Sequence, residues 1–205
     1  MRLSRLVFLG VLCAGGYAGF LWVPPGPKEP GAFDPEKLAR LHYEVFKAYD
    51  SGAEFGLFVG YTKLLREQNK YSWFRAIDAG FHMARATSAA RSVRSHYEQL
   101  LPDLEYVYSI ERDWLGASFD PKKVAQAELD AWVWVREQMP NPTEMVTQSL
   151  AARDALRFNT SESETLGPAM LIARAEQMRD EPNTDWPTVL ALLTDASRAL
   201  ALAIR

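Results

Sequence analysis

Phe33-Asp34-Pro35-Glu36-Lys37-Leu38-Ala39 and Phe119-Asp120-Pro121-Lys122-Lys123-Val124-Ala125 are two copies of one phrase, set 119 − 33 = 86 residues apart. Each copy reads as the start of a helix. Asp34 and Asp120 are placed to accept hydrogen bonds from the first free amides. Pro35 and Pro121 fall at the first helical position, where a missing N–H costs nothing. Phe33 with Leu38, and Phe119 with Val124, form hydrophobic staples that fix the chain's angle of entry.

The similarity continues downstream. Met83-Ala84-Arg85-Ala86 matches Ile172-Ala173-Arg174-Ala175, offset by 174 − 85 = 89 residues. Tyr97, Leu100, Leu101 and Leu104 match Trp186, Val189, Leu190 and Leu193 at the same offset. One three-residue insertion accounts for the change of offset. Self-similarity at a fixed period is read before any fold assignment. It predicts two tandem four-helix units, residues 33–118 and 119–205.

Between the two headers, apolar residues recur at three- and four-residue steps and not in alternation. Helices are expected over 35–50, 54–69 and 73–92, and from 93 to 115 with a kink at Pro102. In the second unit they are expected over 121–139, 143–158, 168–179 and from Thr184 or Asp185 to 204. Asn159–Glu164 reads as a polar loop. Gly56 and Gly60 suggest a close helix contact. The fold class is all-α, with the two units packed face to face or with helix pairs stacked as a short solenoid.

Arg2 and Arg5 precede an uninterrupted apolar run from Leu6 to Val23, 18 residues long. At ~1.5 Å per residue the run spans about 27 Å, close to the hydrocarbon thickness of a bilayer. Tyr17, Phe20 and Trp22 gather at its far end, as an interfacial aromatic belt would. Residues 1–23 are therefore expected to be a single-pass signal anchor in a bacterial inner membrane, with the body in the periplasm. A cleaved secretory signal ending at Gly16-Tyr17-Ala18 is the competing reading. Residues 24–32, with prolines at 24, 25, 27 and 30, read as a semi-rigid spacer lifting the body off the bilayer.

Without Arg2 and Arg5, 21 basic residues face 26 acidic ones. A mildly acidic body with no basic stripe is not that of a nucleic-acid binder. The single cysteine, Cys13, lies in the apolar run, so the body has neither a disulfide nor a thiolate metal site.

No phosphate loop, nucleophile elbow or haem-attachment motif is present. No catalytic residue, cofactor-binding residue or metal ligand is assigned, and no cofactor is expected. Each unit places an acid and an arginine in corresponding positions, which predicts two partly buried ion pairs, Glu44 with Arg85 and Asp130 with Arg174. A metal centre built from His42, His82, Glu44 and Glu98 lacks the Glu-x-x-His spacing of di-iron bundles, so surface or core-edge histidines are the better reading. Tyr97, Tyr108, Trp114, Trp132 and Trp134 could pack the core or line a ligand pocket.

The leading functional expectation is a non-catalytic, membrane-anchored accessory or assembly subunit. It would dock onto a larger membrane protein complex and contact the lipid bilayer through residues 6–23. A small apolar-ligand-binding protein is the alternative. A non-haem metal enzyme comes last.

Overall fold

The computed structural model describes residues 15–16, 19–137 and 142–204, and among these the chain is helical with no strand. From Pro35 on, eight α-helices follow one another: α1 (Pro35–Asp50), α2 (Glu54–Asn69), α3 (Trp73–Ser92), α4 (Leu101–Leu115), α5 (Pro121–Arg136), α6 (Pro142–Phe158), α7 (Glu162–Arg179) and α8 (Trp186–Ala203). Most of the expected anchor, residues 6–23, lies outside the described residues. No described helix is long and apolar enough to cross a membrane.

The two header phrases act as read. Asp34 accepts from the Lys37 amide at 3.0 Å, and Asp120 accepts from the Lys122 amide at 3.0 Å. Phe33 and Leu38 are buried in one apolar cluster, and Phe119 and Val124 in another. Matched positions further on share their environments. Ala84, Ala173, Ala86 and Ala175 are buried, whereas Arg85 and Arg174 are exposed.

Two boundaries differ from expectation. Residues 93–96 leave the helix, a 3-10 turn covers Tyr97–Leu100, and α4 begins only at Leu101. Pro102 therefore sits in the first turn of α4, where its missing N–H is harmless, and does not kink a longer helix. Helix α7 starts six residues before Pro168. The Glu164 carboxylate accepts from the Ser161 amide at 3.0 Å, so a capping box converts the second half of the expected polar loop into helix. Pro168 is accommodated inside α7.

Each helix packs against its predecessor and its successor, and α8 packs against α1. The result is a closed ring, and not an open solenoid. The seam is apolar, with Ala39 and Phe46 of α1 meeting Val189 and Leu193 of α8. Arg198 Nε donates to Glu36 across its outer edge at 2.8 Å.

The helices alternate in direction. At one end of the ring the Asp34 amide at the start of α1 meets Glu67 near the end of α2, and Trp114 at the end of α4 donates to the Asn69 carbonyl. At the other end, Arg136 of α5 reaches the Arg91 carbonyl and the Tyr49 hydroxyl, and Thr143 of α6 meets Gln177 of α7.

Small residues allow the close crossings. A Cβ on Gly60 would stand 3.0 Å from Val45, so α1 and α2 touch where expected. A Cβ on Gly80 would fall 2.8 Å from the backbone of Thr62, so α2 and α3 approach more closely still. The apolar core is thus spread around the ring as four clusters between neighbouring helices. That leaves the centre to something else.

Residues 24–32 run along one end of the ring. Lys28 lies 3.8 Å over the Trp114 ring, Gly26 sits against the Lys70 side chain, and Gly31 against Ile204 at the end of α8. The proline-rich stretch is therefore fastened to the body. Just before it, Trp22 stacks on Phe74 with centroids 4.8 Å apart, and Phe20 lies 6.2 Å from Trp73.

Candidate functional site

A cavity of about 320 Å³ runs down the middle of the ring, and all eight helices contribute to its wall. Its lining on α1 extends from Leu38 to Tyr49, roughly 16 Å at ~1.5 Å per residue. Charged and aromatic residues lie at three levels.

The lowest level is a closed ion-pair network. Arg157 of α6 donates from Nε to Glu111 Oε1 of α4 at 2.9 Å and from Nη2 to Glu111 Oε2 at 3.0 Å. Its Nη1 donates to Asp154 at 3.1 Å. With its amide oxygen turned inward, Gln68 of α2 accepts from the same guanidinium at 2.7 Å. All three charged groups are buried. Burial alone would raise the Asp154 carboxyl; Arg153 and Arg157 outweigh it and hold the group below the usual range.

The middle level continues the chain of charge. Arg153 donates to both Asp154 oxygens, and from Nη1 to Glu128 Oε2 of α5 at 2.6 Å. Glu128 also accepts from the Tyr108 hydroxyl at 3.1 Å and from the Trp132 indole at 3.0 Å. Tyr61 of α2 accepts from Thr87 at 3.0 Å. His42 of α1 faces this level and stands edge-on to Phe46, with no hydrogen-bond partner among the described residues. Burial, reinforced by Arg153, pushes its imidazole down to about 4, so the ring is neutral at ordinary pH.

The upper level opens at Asp180, which is exposed. Arg179 donates to Asp180 at 2.8 Å and stacks on both Phe46 and Tyr49. Arg136 is held by Tyr49 and the Arg91 carbonyl. Glu176 of α7, one turn below Arg179, has no hydrogen bond or ion pair among the described residues. Burial pushes its carboxyl up to about 7.

The expected ion pairs do not form as paired. Glu44 is exposed, with Lys63 at 3.9 Å. Arg85 donates to Asp103, whose Oδ1 also meets His82 Nδ1 at 2.7 Å. Asp130 accepts from Gln126 at 2.7 Å, and Arg174 is exposed. The pairs Glu44–Arg85 and Asp130–Arg174 are absent from the ion pairs of the described residues. In each unit the acid and the arginine take other neighbours, and Glu44, Arg85 and Arg174 face solvent.

The metal reading also separates. His42 faces the cavity, Glu44 faces solvent, His82 joins Asp103 and His96 joins Glu98. Among the described residues no three such side chains stand close enough to hold a metal ion. Of the five aromatics singled out, Tyr108 and Trp132 line the cavity. Trp114 lies at the end covered by residues 24–32, and Tyr97 and Trp134 pack between helices.

Sequence reasoning missed the charged interior. The signal was available on α6, where Leu150, Asp154 and Arg157 share the stripe that carries the buried Ala151 and Ala155. Charges on a core stripe need partners inside the fold. Comparison with protein-family models, curated proteins and solved structures finds no match to the chain.

Proposed function

We propose that this protein is a helical ring that binds a small molecule in its central cavity, tethered to a membrane by its apolar N-terminal segment. The observation that supports the reading is the pair of ionisable side chains, His42 and Glu176, that face the same cavity without a partner among the described residues. Both side chains are partly buried, and a bound ligand would supply the partner that the fold leaves out. The volume lies at the small end of the range for ligand sites, and its mixed aromatic and polar lining suits orientation as well as affinity.

The ring fits an origin in two fused four-helix units. His42 and Glu128 occupy matched positions 128 − 42 = 86 residues apart, and both line the cavity. Neither Thr87 nor Ser197, the hydroxyl-bearing aliphatic residues of the lining, is hydrogen-bonded to a histidine, so carriage or sensing fits the site better than turnover. The test is native mass spectrometry of full-length protein drawn from its own membranes. A bound small molecule, released on denaturation, is the expected result; a mass equal to that of the chain alone counts against the reading.

A docking role has its own support. Phe74 at 53%, Ile77 at 43% and Phe81 at 52% exposure recur at three- and four-residue steps on one face of α3, and Phe55, at 76%, is exposed at the start of α2. That face begins where Trp22 stacks on Phe74. Contiguous exposed apolar surface marks an interaction site. It suits the membrane tether, as the side resting on the bilayer or on a membrane complex. In a form of the protein that begins at residue 24, replacing Phe55, Phe74 and Phe81 by serine is expected to abolish binding to lipid vesicles and to leave ligand content unchanged. Retention by the triple variant would remove this second reading.

A further inference from the structure

The cavity's hydrogen-bonding groups are not evenly satisfied. Its strong donors are engaged within the protein: Arg153 and Arg157 by carboxylates, Arg136 by Tyr49 and the Arg91 carbonyl, and Trp132 and Tyr108 by Glu128. Arg179 is held by Asp180 and stacked on two aromatic rings. Without a partner among the described residues are the Glu176 carboxyl and the His42 ring, while the Tyr49 and Tyr61 hydroxyls, which accept from Arg136 and Thr87, keep their own O–H.

Charge leads to the same place. Four guanidiniums, of Arg136, Arg153, Arg157 and Arg179, stand around the cavity. Four carboxyls line it with them, Glu111, Glu128, Glu176 and Asp180, and Asp154 is buried in the network below. Arg136 is held by the Tyr49 hydroxyl and the Arg91 carbonyl and by no carboxylate among the described residues. Glu111, Glu128 and Asp154 are bonded to Arg157 and Arg153, and Asp180 holds Arg179. Glu176 makes no ion pair among the described residues, although Arg179, one turn further along α7, attracts its ionised form.

We infer that the cavity's ligand is a small monocation carrying N–H donors, a protonated amine, with Glu176 as its counter-ion and His42 as a hydrogen-bond acceptor. This rests on the reading that the cavity holds a small molecule. A buried carboxylate is tolerated when it is paired. An ammonium group supplies the pair and has donors enough for both His42 and Glu176. The faces of Tyr61 and Trp132, which line the cavity, add attraction for a cation.

Binding is coupled to pH through Glu176. The groups around it are Arg179 and Asp180 from its own helix end, Glu128 from α5, Arg153 from α6 and Tyr61 from α2, with His42 of α1 on the same cavity. From α8, Leu193, Ala196 and Ser197 add no charge. Empty, the carboxyl titrates near 7. An ammonium beside it favours the ionised form, so amine binding expels a proton below that pH.

The experiment is calorimetry on full-length protein in mild detergent with three probes of matched shape: 2-phenylethylamine, 2-phenylethanol and phenylacetate. At pH 8 the amine is expected to bind at least roughly tenfold more tightly than the other two, equivalent to one unit of pKa in the interaction. Below pH 7 its affinity is expected to fall roughly tenfold per pH unit, with proton release. Glu176→Gln should abolish both the preference and the pH slope. Should that variant fail to fold, the slope and the measured proton release in the native protein decide alone.

Tighter binding of the alcohol or acid overturns the amine assignment and leaves the cavity reading standing. An amine affinity that ignores pH, or that survives Glu176→Gln, overturns the role of Glu176. Binding of none of the three overturns the amine assignment, and an empty cavity in protein from native membranes removes the cavity reading with it.

Discussion

Arg157 and Glu111 close the floor of the cavity with two parallel hydrogen bonds, at 2.9 and 3.0 Å, from helices that are not neighbours in the ring. They stand 46 residues apart in sequence. The pair ties α6 to α4 across the interior, which the ladder of adjacent contacts cannot do. Removing Arg157 leaves Glu111 charged and buried with no cation bonded to it, whereas removing Glu111 leaves Arg157 on Asp154. Arg157→Leu is expected to destabilise by about 3–5 kcal/mol in urea unfolding, and Glu111→Leu by less. The double replacement should lose clearly less than the sum, because no orphan charge remains on that pair.

Glu176 makes stability fall as pH rises. Its carboxyl titrates near 7 when folded, above the ordinary value of 4.5, so the unfolded chain releases its proton first. No penalty exists below about pH 4.5. The penalty grows as pH rises from 4.5 and levels off above 7, on the order of 3 kcal/mol. Glu176→Gln should therefore stabilise the ligand-free protein at pH 8 and change little at pH 4. His42 acts in the opposite sense. Its imidazole is depressed to about 4 from 6.5, so its burial as a neutral ring weakens the fold progressively as pH drops through that window. Thermal melts of His42→Gln against the parent at pH 7 and pH 5 check this, with the variant gaining at the lower pH.

Glu67 is a second acid-sensitive point, on the outer end of the ring. Burial would raise its carboxyl, but hydrogen bonds from Lys37 and Lys70 and from the Asp34 amide hold it down to about 2. Its stabilising effect is present in full above about pH 4.5 and is lost as pH falls toward 2. Lys37 is half exposed, so solvent screens part of the interaction. Glu67→Gln is expected to cost about 1–2 kcal/mol at pH 7 and nothing at pH 2, read by denaturant melts at both.

Two glycines should respond differently. Gly80 faces the Thr62 backbone, and a methyl there would stand 2.8 Å away, so Gly80→Ala must push α2 and α3 apart. A loss of about 1–3 kcal/mol is expected. Gly167 lies inside α7 with open space beside it, but the ring of Pro168 crowds any side chain that precedes it in a helix, which offsets the gain in helix propensity, so Gly167→Ala should change stability by less than about 0.5 kcal/mol. Paired thermal melts separate the two.

Legible in the sequence was what short spacing controls. Asp34-Pro35 and Asp120-Pro121 mark helix starts because a cap needs only the next three residues. The start of α7 is equally local, in Ser161 and Glu164, but Pro168 imitates a first-turn proline and points to a later start. Ring closure was hidden, because α1 meets α8 through residues more than 140 positions apart, such as Glu36 and Arg198, whose separation is 162. The cavity was hidden for the same reason. Glu128, Arg153 and Glu111 look like solvated charges one helix at a time, and only the ring brings them face to face.

The most direct test of the ring's hollow, ligand-holding centre is to fill it. Ala90 and Ala196 are buried and face the cavity from α3 and α8. Native mass spectrometry of Ala90→Phe and Ala196→Phe, beside the parent, measures both folding and ligand content. The account predicts folded variants with melting temperatures at or above that of the ligand-free parent, and loss of the bound small molecule that the parent carries. Variants that unfold from overpacking, or that keep the same bound mass as the parent, would contradict it.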